Sequence, residues 1–184
     1  MNFNYPLIVL EGLSGVGKTT IGGILAKEMQ GVLYKTPPEP FLSIRDVIDK
    51  QACNKARFVF YLAGIVHAAE EIKGILINKP VICDRYLLTT TCYHLALGVD
   101  IDDLMISASC FLKPDFSFLI VCENNVRLKR LKNRGLSFND VQEQKLDIEQ
   151  KFLVEYKKFN LIEIDNSANN PLIAVKTILE TINK

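Results

Sequence analysis

The stretch Leu7-Ile8-Val9-Leu10-Glu11-Gly12-Leu13-Ser14-Gly15-Val16-Gly17-Lys18-Thr19-Thr20 joins an apolar run to a glycine-rich turn and a lysine–threonine pair. Leu7–Leu10 reads as a buried strand, and Thr20 to Gln30 reads as a helix. Between them, Gly12 to Thr19 fits the phosphate-binding pattern G-x-x-x-x-G-K-[ST]. Glycines let successive backbone N–H groups turn toward one phosphate, and the helix adds its positive N-terminal end. Gly12, Ser14, Gly15, Val16, Gly17, Lys18, Thr19 and Thr20 are therefore the candidate ATP cradle. Lys18 is placed to reach the β- and γ-phosphates, and the Thr19 hydroxyl to hold Mg²⁺. The competing reading is a glycine-rich turn with a surface lysine. Complete spacing in a strand–loop–helix context argues against it.

The bulk properties narrow the class. The chain has 184 residues, 48% of them hydrophobic, enough for one domain with a buried parallel sheet. A net charge of +1 lacks the basic excess expected of a nucleic-acid binder. Two histidines cannot by themselves build a zinc site. The five cysteines are odd in number and form no C-x-x-C pair, which implies a reduced cytoplasmic protein. The N-terminus lacks a charged leader region, so no signal peptide is expected. No apolar stretch reaches the length of a membrane span.

Apolar runs alternate with longer helical patterns. Strands are expected at 7–10, 32–35, 81–83, 116–121 and 161–164. Helices are expected at about 17–30, 41–50, 55–77, 86–97, 124–134, 140–159 and 171–182. Continuous apolar strands suit a sheet covered on both faces, and alternation with helices implies parallel pairing through right-handed crossovers. The expectation is one α/β domain over 1–184, with three α/β/α layers and no linker.

Ligands in such folds bind at the carboxyl ends of the strands. Glu39, Asp84-Arg85 and Asp165 follow the second, third and fifth strands and should converge on the phosphate loop. A strand-end carboxylate such as Asp84 is a candidate Mg²⁺ partner, and Arg85 has the planar donor fork that grips phosphate. A surface Asp–Arg pair capping the next helix is the bland alternative. Arg127, Arg130 and Arg134 share one helical face and could offset charge on a transferring phosphoryl group, although a solvated basic face is as reasonable. Gly135–Asn139 reads as a flexible loop, which makes 127–145 a lid-like segment. Phe58, Phe60, Tyr61 and Leu62 open a long helix, where one aromatic could stack on a base and the others belong to the core. Tyr86, Tyr93 and His94 follow Arg85 along one helix. Tyr86 and Tyr93 share a face, and His94 could face a polar substrate group, although a structural histidine is at least as reasonable. Ile148, Phe152, Tyr156 and Phe159 recur at helical spacing and read as core.

These residues together resemble the thymidylate kinase family of P-loop nucleoside monophosphate kinases. The likeness is carried by Ile8-Val9-Leu10-Glu11-Gly12 with Gly15-Val16-Gly17-Lys18-Thr19-Thr20, by Glu39-Pro40, and by Asp84-Arg85-Tyr86 with Thr89 and Tyr93. Pro114-Asp115, Arg130…Arg134 and Asp165 with Ser167 support it. The resemblance implies a parallel sheet of about five strands in the order 2-3-1-4-5 and transfer of the ATP γ-phosphoryl group to dTMP with Mg²⁺. It further implies that Lys18, Arg85, Arg130 and Arg134 are catalytic and that Arg127 lies on the ATP side. Glu39, Phe60, Arg85, Tyr93 and His94 would lie on the acceptor side, with Thr19 and Asp84 at the metal. Many members of the family are homodimers.

Four positions depart from the family pattern. Ser14 replaces an acidic loop residue, Pro38 replaces an arginine before Glu-Pro, Gly64 replaces an arginine on the long helix, and His94 replaces a polar amide after the tyrosine of the Asp84-Arg85-Tyr86 helix. Each charge-assisted phosphate contact contributes about 1.5–3 kcal/mol. Their loss leaves open a kinase of the same fold with a nucleoside or another less charged acceptor. A nucleotide-binding regulatory protein without catalysis is a third reading, opposed by the intact Lys18, Thr19, Asp84 and Arg85.

Overall fold

The computed structural model describes residues 3–101, 110–168 and 170–183. Its centre is β1 (Leu7–Glu11), buried at every position. Around it runs a five-stranded sheet in the order β2-β3-β1-β4-β5, with β2 Val32–Lys35, β3 Val81–Asp84, β4 Phe116–Val121 and β5 Ile162–Asp165. Every pairing is parallel. This is the doubly wound order that the resemblance implies. The helices that connect and cover the strands are α1 (Lys18–Glu28), α2 (Phe41–Gln51), α3 (Asn54–Ile75) and α4 (Leu87–Ala96). They continue with α5 (Asn124–Arg134), α6 (Phe138–Glu143), α7 (Leu146–Lys157) and α8 (Pro171–Ile182).

Side chains alternate across β1, so its two faces meet different helices. Leu7 and Val9 pack with Val81 and Cys83 against Ile65, Ala68 and Ile72 of α3. Ile8 and Leu10 join Phe118 and Ile120 in a second cluster containing Ile21 and Leu25 of α1 and Val175 and Ile178 of α8. Strands buried on both faces explain the unbroken apolar runs. Register then places the site. Leu10 lies opposite Asp84, and Asp84 lies opposite Lys35. The chain leaves β1, β2 and β3 at one sheet edge, and Gly12, Thr36 and Arg85 follow directly.

Two helix boundaries differ from the sequence reading in ways that matter. The expected helix over 140–159 is two helices, α6 and α7, because Lys145 is extended (ψ 122°). The expected flexible loop at 135–139 is mostly ordered by a capping box. Asp140 N–H donates to Ser137 Oγ at 3.2 Å, and Ser137 N–H donates to Asp140 Oδ2 at 2.8 Å. An S-x-x-D signal at Ser137 thus starts a helix two residues before the end of the expected loop. Among the described residues, no helix is long and apolar enough to cross a membrane.

Phe118 is fully buried in β4 beside β1. Phe118→Ala should lower stability by about 3–5 kcal/mol, read as a lower urea midpoint.

Candidate active site

The turn after β1 is held from all sides. Gly12 has φ +133°, and a Cβ there would sit 2.4 Å from the Ile120 carbonyl oxygen. Gly17 has φ +104°, and a Cβ there would meet Asn166 Nδ2 at 2.3 Å. Both the left-handed backbone and the close approach require glycine. Asn166 Nδ2 donates to the Val16 carbonyl at 2.8 Å, and Arg130 donates to the same carbonyl at 3.1 Å and to the Asn166 carbonyl at 3.0 Å. Lys18 is buried and folds back over the loop, donating to the carbonyls of Gly12 (2.9 Å) and Leu13 (2.7 Å). Burial lowers its pKa to about 7, with the neighbouring Arg85 guanidinium acting in the same direction.

A cavity of about 600 Å³ opens over this loop, lined by Ser14, Gly15, Gly17, Lys18, Thr19 and Thr20, and closed on the far side by Arg130, Arg134 and Asn166. The Thr19 hydroxyl donates to Asp84 Oδ2, whereas Asp84 Oδ1 is buried without a hydrogen-bond partner. A second cavity of about 350 Å³ lies alongside, between α2, α3, α4 and α6. Its walls include Arg45, Tyr61, Tyr93, His94 and Asn139. The two cavities share Ser14, Lys35, Asp84, Arg85 and Arg134. Arg85, itself left-handed at φ +71°, ties the junction together: its guanidinium donates to the Gly12 carbonyl at 3.0 Å and to Ser14 Oγ at 2.9 Å.

Beneath the junction lies a charged cluster. Glu143 of α6 accepts from Ser14 N–H at 2.6 Å and from Ser14 Oγ at 3.2 Å. Arg127 pairs with Glu143 at 3.5 Å and with Glu149, and it donates to the Ser14 carbonyl at 3.4 Å. Glu11 accepts from Thr89 N–H at 3.1 Å and from the Tyr156 hydroxyl at 3.4 Å. Burial raises the Glu11 pKa, partly offset by the Thr89 hydrogen bond.

Most residues expected at the site converge there, and four lie elsewhere. Asp165, expected at the phosphate loop, lines neither cavity and instead accepts from Ser167 N–H at 3.0 Å and Ser167 Oγ at 2.6 Å, closing the turn after β5. Arg127 is 1% exposed and faces the underside of the loop, because its position on α5 turns inward toward α7. Arg130 and Arg134 alone of the three arginines reach the wall of the cavity over the loop. Glu39 accepts from Ser43 N–H at 3.2 Å at the start of α2 and lines neither cavity. Phe60 packs on Phe41, with ring centroids 5.6 Å apart, and its neighbour Tyr61 turns into the second cavity instead. One residue is about 100° around a helix, a phase that composition alone does not set. Gly12 and Val16 act through their carbonyls rather than as cavity wall.

Several site residues escaped the sequence reading. Lys35 ends β2 without a motif. Arg45, Asp49, Arg57 and Asn139 form a polar network with Tyr61: Asp49 accepts from the Tyr61 hydroxyl at 2.9 Å and from Asn139 Nδ2 at 2.7 Å. Only the i, i+4 spacing of Arg45 and Asp49 offered a signal. The missing arginine at Gly64 also has a structural counterpart. A Cβ at Gly64 would lie 3.4 Å from both Phe41 Cγ and Pro37 Cβ, so that side of α3 is roofed.

Comparison with known proteins agrees with this geometry. The sequence model of the Thymidylate kinase family matches residues 10–177. A protein described as a "probable thymidylate kinase" from Methanocaldococcus jannaschii is 30% identical over 167 residues, covering 87% of this chain and 86% of the relative. Among solved structures, thymidylate kinase from Candida albicans superposes with a TM-score of 0.77 at 19% identity, covering 100% of this chain and 93% of the other. Deoxyadenosine kinase from M. mycoides superposes with a TM-score of 0.70 at 18% identity, covering 96% and 98%. At these identities the two structures share the fold with this chain.

Two expectations follow from the burial pattern. A lysine whose folded pKa lies below its unfolded value costs stability most below the folded pKa, and the cost fades as pH rises toward the unfolded value. Lys18→Met should therefore raise the melting temperature of the nucleotide-free protein at pH 6, with a smaller gain at pH 9. Gly64→Arg should lower stability by about 1–3 kcal/mol through overpacking against Phe41 and Pro37. Denaturant titration against Gly64→Ala checks it.

Proposed function

The chain belongs to the thymidylate kinase family, and we propose that it transfers the γ-phosphoryl group of ATP to dTMP, releasing ADP and dTDP. The observation that carries this reading is the pair of cavities meeting at Arg85: one cavity over a phosphate loop, the other with a polar, aromatic wall. Phosphoryl transfer asks little covalent work of a protein and depends on alignment and charge. The shared wall supplies both.

ATP would lie over the loop, with its phosphates against the backbone N–H groups at the start of α1. Lys18 would exchange the Gly12 and Leu13 carbonyls for the β- and γ-phosphates. Arg130 and Arg134, on the opposite wall, would offset charge on the transferring group. The acceptor phosphate would sit at Arg85. Lys35 and Arg134, also at the junction, add positive charge that the departures at Pro38 and Gly64 remove elsewhere. The unpartnered Asp84 Oδ1 beside the Thr19 hydroxyl fits a magnesium ion, directly or through water. When bound there, Mg²⁺ would neutralise the β- and γ-phosphate oxygens. Glu143 and Arg127 would act from below by holding Ser14 and thus the loop.

The test is ADP release from ATP·Mg²⁺ with dTMP, dUMP, dCMP and thymidine as acceptors. Turnover with dTMP and none with thymidine is expected; the reverse preference would overturn the proposal. Lys18→Ala should abolish turnover in a protein with unchanged circular dichroism. Asp84→Asn should raise the Mg²⁺ concentration for half-maximal rate by about 10–100-fold.

A further inference from the structure

Asn139, the second residue of α6, is bonded at both ends of its amide. Its Nδ2 donates to Asp49 Oδ2 at 2.7 Å and to the Tyr61 hydroxyl at 3.0 Å. Its Oδ1 accepts from Arg57 Nη2 and from the Tyr93 hydroxyl, the latter at 3.3 Å. The partners come from α2, α3 and α4. A carboxylate only accepts and a guanidinium only donates, so the chemistry fixes which way the amide points. Both amide hydrogens and both carbonyl lone pairs are thereby used, which leaves Asn139 nothing to offer a ligand. Its cavity-wall neighbours Tyr61 and Tyr93 are held by it instead.

The partners are themselves firmly placed. Asp49 and Arg57 are each 3% exposed and pair at 3.5 Å. The Arg57 guanidinium lies over the rings of Phe138 and Tyr93, 5.3 and 6.0 Å from their centroids. Asp49 also accepts from the Tyr61 hydroxyl at 2.9 Å and from Arg45 Nε at 3.2 Å. From Asn139 onward, α6 meets the junction between the two cavities. Asp140 accepts from Arg134 Nη2 at 2.9 Å, and Glu143 accepts from Ser14 N–H at 2.6 Å. Arg134 and Ser14 line both cavities. One short helix, about 9 Å long, is therefore anchored at its start to the acceptor wall and carries the groups that hold Arg134 and Ser14.

We propose that Asn139 is a positioning residue for phosphoryl transfer: it pins α6 to the acceptor wall and, through Asp140 and Glu143, sets where Arg134 and Ser14 stand. The proposal rests on the dTMP reading above and adds how the two cavities are kept in register. A nucleotide packed against Tyr61 and Tyr93 steadies the hydroxyls that grip Asn139. Filling the acceptor cavity thus tightens the helix that places a cation beside the transferring group. Leucine at 139 has nearly the same shape and makes none of the four bonds. Aspartate sets a second carboxylate against Asp49. Exchanging the two side chains restores a donor facing an acceptor.

The experiment measures kcat and KM for dTMP and ATP in the wild-type protein, Asn139→Leu, Asn139→Asp and the double variant Asp49→Asn/Asn139→Asp. It also follows amide hydrogen exchange of α6 in the wild-type protein with and without dTMP. Asn139→Leu should lower kcat by about tenfold or more, because small misplacements are costly in transfer reactions. KM for ATP should change by less than about threefold, since Lys18 and the glycine turn remain. The double variant should turn over at least about fivefold faster than Asn139→Asp. Saturating dTMP should slow exchange of the α6 amides in the wild-type protein. A wild-type kcat in Asn139→Leu, or a loss confined to KM for dTMP, would overturn the proposal. So would α6 exchange that dTMP leaves unchanged, which decides the matter even where the variants fail to fold. Wild-type protein that binds ATP and turns over no dTMP removes the phosphotransfer reading, and this one with it. Turnover of dTMP that is indifferent to Asn139 removes this one alone.

Discussion

Burying charge around a single loop is the constraint on which the rest of the structure depends. Glu11, Lys18, Arg127 and Glu143 are each no more than 5% exposed, and all lie within the turn after β1 or directly under it. An unpaired buried charge costs several kcal/mol, so each must find a partner, and three of the four find it on another element. Arg127 brings α5 to Glu143 of α6 and Glu149 of α7. Glu11 brings α4 and α7 in through Thr89 and Tyr156. Only Lys18 is satisfied by the loop's own carbonyls, and those are contacts it can give up to an anion. The arrangement is rigid on the side facing the core and exchangeable on the side facing ligand.

That asymmetry explains how donor and acceptor sides differ. The donor cradle is local: strand, glycine turn and helix follow one another, and parallel register delivers Asp84 and Arg85 to the same edge. The acceptor cavity is assembled from α2, α3, α4 and α6, which are distant in sequence. Its polar network joins Asp49 and Tyr61 to Asn139, 90 and 78 residues away. Side chains from distant elements surround the positions that the family resemblance singles out. Glu143 stands on Ser14, where the family carries a loop carboxylate. Lys35 and Arg45 line the cavity, whereas Gly64 is covered by Phe41 and Pro37.

The sequence by itself determined the phosphate loop, the five parallel strands and the arrival of Asp84 and Arg85 beside that loop; Glu39 and Asp165, expected with them, line neither cavity. Those features rest on short-range rules: a fixed glycine spacing, apolar runs for strands buried on both faces, and the geometry of right-handed crossovers. Strand order followed from the family resemblance. What only the tertiary structure decided was helix phase and partnership. Phe60 or Tyr61 could have faced the ligand, and packing against Phe41 chose. Arg127, Arg130 and Arg134 share a helical stripe, yet α7 draws the first inward while the others reach the cavity wall. Ser137 capped a helix where a loop was expected, because its box with Asp140 outweighed the preceding glycine. His94 was legible only as a polar residue near Tyr93, and Asn139 only as the end of an expected loop. The partners that grip Asn139 come from α2, α3 and α4. No local pattern encodes partnership of that kind, because it is set by contacts between segments far apart in the chain.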